Sequence, residues 1–255
     1  MLFPISDDDR RLSGPALVTW GLIAANLAVF FLLQQAGGNE AFTYGWSVIP
    51  QEIMTGEDIT ANTTVQVEGQ SITIPQAPGP TPIYLTLLSS MFMHGGFAHI
   101  FGNLLYLWIF GDNVEHRFGS GAFLAFYLVS GLAATAAQIA LNPDGIVPNL
   151  GASGAISGVL GAYLVLFPRN RVTAIFLYFI VSIPAVVAIG MWIVFQFFNG
   201  LGSIMVSQET AGGVAYGAHI GGFAAGVILA FILRSVIKKE RENVLSHDRS
   251  RRGLW

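Results

Sequence analysis

Six stretches of this chain are apolar over lengths that span or nearly span a lipid bilayer, and nothing else constrains its fold as strongly. They run Leu17–Gln35, Leu87–Phe110, Ala122–Leu141, Leu150–Phe167, Thr173–Leu201 and Val214–Leu233. A hydrocarbon core about 30 Å thick is crossed by roughly 20 residues of helix. With 53% hydrophobic and 11% charged residues, and a mean hydropathy of +0.60, the composition is that of an integral membrane protein. The first stretch follows Arg10-Arg11. It is longer than a signal-peptide core and lacks a small-x-small cleavage site, so it is expected to stay as a first helix.

Charge placement tests this map. All 12 Lys and Arg fall at Arg10 and Arg11, at Arg117, at Arg169 and Arg171, and from Arg234 to Arg252. The other three connections carry only acidic charge: Glu40, Glu52, Glu57, Asp58, Glu68, Asp144 and Glu209. The alternation predicts a multi-pass protein with both termini in the cytoplasm, most simply in a bacterial inner membrane. The net charge of −3, with no basic patch outside the membrane flanks, points away from nucleic acid as a partner. With no cysteine there is no disulfide and no thiolate nucleophile.

The domain expectation follows. Residues 1–16 form a cytoplasmic N-terminus, 17–237 a six-helix domain, and 238–255 a charged cytoplasmic tail. Within the long outer loop 36–86, Thr64–Ile74 alternates around a Gly-containing turn and reads as a short hairpin, a decoration on the domain. Asp112, Glu115 and Arg117 read as interfacial, His116 as a solvated loop residue and His247 as part of the tail.

Inside the apolar stretches stand a few polar residues, which are costly there. Ser153 lies in Gly151-Ala152-Ser153-Gly154-Ala155, and His219 in Gly217-Ala218-His219-Ile220-Gly221. The second stretch holds His94, His99 and Asn103. Counted from the cytoplasmic ends of their helices at 1.5 Å per residue, Ser153, His219 and His99 lie about 21, 22 and 20 Å deep. That common level predicts one site, about 10 Å below the outer face. Pro143, Gly145, Pro148 and Gly151 break helix before Ser153. The fourth helix should therefore start near Ser153, after an irregular segment that dips into the membrane beside a watered cavity.

Glycines suggest how the helices meet. Gly154 and Gly158 on the fourth helix, and Gly217 with Gly221 and Gly222 with Gly226 on the sixth, form small-x3-small faces. Face-to-face packing would bring His219 toward Ser153. A serine hydroxyl needs a base within hydrogen-bond reach to act as nucleophile. No carboxylate lies at that depth on either helix, so the arrangement reads as a Ser–His dyad. Ala155 stands where a nucleophile elbow has glycine, which disfavours a soluble-type hydrolase. His99 and Asn103, one helical turn apart, share a face from which to donate to an oxyanion.

Together these residues resemble the rhomboid intramembrane serine proteases. The likeness is carried by Gly151-x-Ser153-Gly154, by Ala218-His219-x2-Gly222-x3-Gly226, by His94-x4-His99-x3-Asn103, and by the segment Gly111–Gly119. It covers roughly Leu85 to Leu233. It implies an all-α membrane protein, a six-transmembrane-helix bundle with a long outer first loop. It also implies Ser153 as nucleophile, His219 as base, and an oxyanion hole of His99, Asn103 and the Ser153 N–H with Gly151 beside it. His94 would order the first loop and a water-filled cavity. The implied substrate is a transmembrane segment of another protein in the bilayer, cut near its outer end without metal or cofactor. Access would involve the fifth helix, with Gly190 and Gly200 as flex points, and a cap loop Ser203–Gly213.

Three positions depart from the family's pattern. Leu85-Thr86 replaces a Trp-Arg pair, and Ser157 stands where many relatives carry an aromatic against the catalytic histidine. Other readings stay open at this point. Taken alone, Ser153 also reads as a helix-packing residue. The three histidines suggest zinc, though no carboxylate joins them. A polar cavity also suits a transporter, though no inverted repeat is visible. A catalytically dead relative would keep the fold and bind without cutting.

Overall fold

The computed structural model describes residues 2–8, 14–67, 70–205 and 215–237. The proposed cap loop lies almost entirely outside the described residues, as does the C-terminal tail.

In chain order the elements are β1 (Leu2–Ser6), α1 (Leu17–Ala28, continued as a π-helical turn Val29–Leu33), α2 (Glu40–Gly45), α3 (Pro50–Thr55), β2 (Thr63–Val67) and β3 (Gln70–Ile74). Short helical turns over 83–92, α4 (Thr86–Ser89) among them, lead to α5 (Phe97–Phe118), α6 (Ser120–Leu141) and α7 (Ser153–Leu166). Then come β4 (Arg171–Phe176), β5 (Phe179–Pro184), α8 (Ala185–Met205) and α9 (Tyr216–Val236). The protein is mostly helical. Among the described residues, α6 and α9 are long and apolar enough to cross a bilayer by themselves.

Helix α7 sits at the centre. Every residue from Gly154 to Tyr163 is buried, as its uniformly apolar sequence requires. The helices around it expose large apolar side chains instead, including Trp20, Phe31, Phe101, Trp108, Leu124, Phe198 and Phe231. An apolar exterior of this extent suits lipid rather than water.

Close backbone contact joins α7 to its neighbours. A Cβ on Gly222 or Gly226 would strike the carbonyl oxygens of Gly154 and Gly158 respectively, and one on Gly154 would meet Ala134 Cβ on α6 at 2.7 Å. Helices α7 and α9 therefore pack face to face. Gly217 and Gly221 face α6 instead, against Gln138 and Ala137.

Several expectations are corrected. The stretch from Thr173 does not begin as a helix. Residues 171–184 form the hairpin β4–β5, and β1 pairs antiparallel with β4, Phe3 opposite Ile175, to give the order β1-β4-β5. An apolar run does not by itself separate helix from strand. Here Val172, Thr173, Ile175, Ile180, Val181 and Ile183 favour the pleated form. Helix α8 starts only at Ala185 and runs unbroken through Gly190 and Gly200.

The second stretch is also shifted. His94 precedes α5, and the helix continues through Asp112–Arg117, which reads as a loop from sequence. It stops at Gly119, whose φ of +81° suits glycine. Glu115 is held inside the protein: it is buried at 2% exposure and accepts from the Val18 and Thr19 N–H groups, the Thr19 hydroxyl and the Ser120 hydroxyl. His116 is not free in solvent either, its ring nitrogens lying 2.7 Å from the Asp112 carbonyl and 3.1 Å from that of Gly14.

Candidate active site

Ser153 is the first residue of α7, and no side chain caps that terminus. Its first-turn N–H groups are open toward whatever lies beside the serine. The irregular segment before it is mostly half-buried, and residues between 48 and 90 satisfy its backbone. Val48 and Asn149 exchange hydrogen bonds of 3.0 and 2.8 Å. The Gln51 N–H donates to the Gly145 carbonyl, the Gln76 amide to the Ile146 carbonyl, and the Gly151 N–H to the Ser90 carbonyl at 2.8 Å. Irregular backbone that is shielded from water, even in part, needs such partners.

Gly151 carries φ of +134°, and a Cβ there would lie 2.8 Å from His99 Nε2 and 3.5 Å from Ser153 Oγ. His99, on the first turn of α5, therefore aims Nε2 at the serine's surroundings. The Gly95 N–H donates to His99 Nδ1 at 3.3 Å. A nitrogen that accepts carries no proton, so in the neutral ring Nε2 bears it and is a donor. Asn103, one turn further, is 8% exposed, and its side-chain nitrogen has no hydrogen-bond partner.

His94 is buried with neither ring nitrogen partnered, its ring edge-on to His99 at 5.1 Å. Its backbone is clamped by Gln34, which accepts from the His94 N–H and donates to the His94 carbonyl.

His219 lies in the first turn of α9. Its Nδ1 is 2.7 Å from Gln196 Oε1 on α8, and the Trp192 ring is 6.0 Å away at 38°. The N–H of the preceding Ala218 donates to Gln138 on α6. Ser157 does not reach the imidazole, since its hydroxyl donates to the Ser153 carbonyl at 2.6 Å.

Ser153, His219, His99 and Asn103 all line one cavity of about 760 Å³. Trp192 and Gln196 form part of its wall, and Phe3 and Pro4 of β1 line it as well. Among the described residues no hydrogen bond links Ser153 to His219, and no three His, Cys, Asp or Glu side chains group to hold a metal ion.

Gln34, Gln138 and Gln196 escape a sequence reading that looks for ionisable and nucleophilic groups. Their signal is an amide within or at the end of a largely apolar helix, costly in lipid.

The Rhomboid domain profile matches residues 83–236, and the chain belongs to the rhomboid family, whose members are embedded in membranes. It is similar to Rhomboid protein 1, mitochondrial, of Saccharomyces cerevisiae, 30% identical over 173 residues, 63% of this chain and 45% of that protein. It is similar to the rhomboid protease GluP of Bacillus subtilis, 33% identical over 159 residues, 62% of this chain and 26% of that protein. A third relative is RHOMBOID-like protein 4 of Arabidopsis thaliana, 34% identical over 154 residues, 58% of this chain and 33% of that protein. The chain thus matches less than half the length of each. The three come from a mitochondrial, a bacterial and a plant source, so the kinship does not single out a bacterial inner membrane.

Proposed function

We propose that this chain is an intramembrane serine endopeptidase that cleaves transmembrane segments of other membrane proteins. The observation that carries the reading is the shared cavity: a serine at an uncapped helix start, a histidine, and two further polar side chains face one space inside an apolar bundle. In this reading Ser153 is the nucleophile and His219 the base. The His99 Nε2–H, the Asn103 amide and the Ser153 N–H receive the oxyanion, with Gly151 leaving room for it.

The topology belongs to the same proposal. The domain at 17–237 crosses the bilayer six times, with α1, α5, α6, α7, α8 and α9, and both termini lie on the cytoplasmic side. Helix α7, about 21 Å long for 14 residues, spans only together with the irregular segment before it. That arrangement opens the Ser153 end to water from outside.

A second reading, a binding protein that does not cut, takes its support from the missing Ser153–His219 hydrogen bond. Catalytic hydrogen bonds are often loose before substrate arrives, so the protease reading is preferred. The deciding experiment is cleavage of a reporter transmembrane substrate in proteoliposomes by wild type and Ser153→Ala, with fluorophosphonate labelling alongside. Cleavage and label should both vanish in Ser153→Ala. Cleavage persisting in Ser153→Ala or His219→Ala would sink the dyad, and a wild type that binds but never cuts would favour the second reading.

A further inference from the structure

We infer that Gln196 is the positioning residue that sets the tautomer of His219; the inference rests on the protease reading above. Gln196 is 7% exposed on α8, and its Oε1 sits 2.7 Å from His219 Nδ1. An amide oxygen only accepts. Nδ1 therefore carries the ring proton, and Nε2 keeps the lone pair that a general base needs. An unpartnered neutral imidazole divides its proton between the two nitrogens, and the fraction protonated on Nε2 cannot take the serine's proton.

The surroundings leave this task to α8. Ser157 spends its hydroxyl on the Ser153 carbonyl. Gln138 bonds the backbone of Ala218, not the ring. Trp192, one helical turn before Gln196, lies 6.0 Å from the imidazole and 6.4 Å from Phe223. Helix α8 thus offers His219 a ring to lean on and an acceptor for Nδ1, from a single face. A buried carboxylate behind the histidine would serve the same purpose at a greater desolvation cost in an apolar site.

The test uses the whole chain in proteoliposomes and two substitutions of matched size. Gln196→Met removes the acceptor. Gln196→Glu keeps only acceptors. Gln196→Met should lose about 10- to 100-fold in kcat with KM little changed, and Gln196→Glu should recover most of that loss. A Gln196→Met enzyme with wild-type kcat, or a Gln196→Glu enzyme as impaired as Gln196→Met, would overturn the inference. Melting temperatures identify a variant that is merely unfolded. Nitrogen-15 spectra of histidine-labelled wild type, assigned against His219→Ala, read the tautomer without any turnover. Protonated Nδ1 at His219 supports the inference and protonated Nε2 overturns it, even if the reporter is never cleaved. Cleavage by Ser153→Ala, in contrast, would count against the protease reading itself.

Discussion

His99 Nε2 and the backbone of Gly151 are so close that a side chain of even one carbon at Gly151 would lie 2.8 Å from that nitrogen. The φ of +134° at Gly151 independently resists any L side chain. The two constraints act on the same spot, beside Ser153 Oγ. Gly151→Ala should therefore reduce cleavage by at least about 100-fold, the scale of losing one oxyanion donor. Its unfolding free energy should fall modestly, by about 1–3 kcal/mol of backbone strain. Cleavage and thermal unfolding measured on one preparation check both. A Gly151→Ala enzyme with normal cleavage would mean that His99 does not need this approach.

Asn103 carries a related expectation. Its side-chain nitrogen is buried without a partner although the residue lines the cavity. An unpaired donor costs roughly 1–3 kcal/mol, so a donor kept there points to a partner that forms during reaction. Asn103→Ala should lower kcat about 10- to 100-fold with KM nearly constant, and should leave stability unchanged or slightly raised. Steady-state kinetics on the reporter substrate separate the two parameters. An effect confined to KM would assign Asn103 to substrate binding instead.

The sequence was most legible where backbone chemistry is local. Pro143, Gly145, Pro148 and Gly151 forbid a regular helix, and α7 starts at Ser153. Small residues at a spacing of four announced the α7–α9 contact. Legibility failed where the decision is tertiary. The run from Thr173 is apolar enough for a span; it folds as a strand through pairing with β5 next to it and with β1, far away in sequence. From sequence Glu115 reads only as a carboxylate near a helix end. Its partners Val18 and Thr19 lie almost a hundred residues away, and no local pattern points to them. Gln196 is hard to read for a different reason: an amide neither ionises nor attacks, so it stands out less than Ser153 and His219.

Glu115 leads to a stability prediction. Its two oxygens take four hydrogen bonds that tie the start of α1, the last turn of α5 and the start of α6 together. In Glu115→Gln an NH2 group replaces one oxygen and faces a backbone N–H that only donates. Charge-assisted bonds are worth about 1.5–3 kcal/mol each, and an orphaned donor adds to the loss. Glu115→Gln should destabilise by roughly 2–4 kcal/mol. Denaturant unfolding reads this directly, and a change below about 0.5 kcal/mol, the scale of an ordinary surface substitution, would show that the cluster contributes little.

The first loop carries a pH-dependent contact at Glu52. This residue is 2% exposed and accepts from the Ile59 N–H at 2.8 Å. Burial raises its pKa to about 7; the Ile59 N–H pulls it down and the neighbouring Asp58 adds to the rise. The unfolded value is 4.5. A folded pKa above the unfolded one means that the folded loop holds the proton more tightly. The stabilisation is therefore complete below pH 4.5 and is lost as pH rises through about 7. Because the same loop supplies the Val48, Gln51 and Gln76 bonds to the segment before Ser153, loosening should spread toward the site. Hydrogen-exchange protection factors for residues 36–86 should fall between pH 4.5 and 7 in wild type. In Glu52→Gln, which is neutral throughout, they should stay flat. Identical pH profiles for the two proteins would show that Glu52 does not govern the loop.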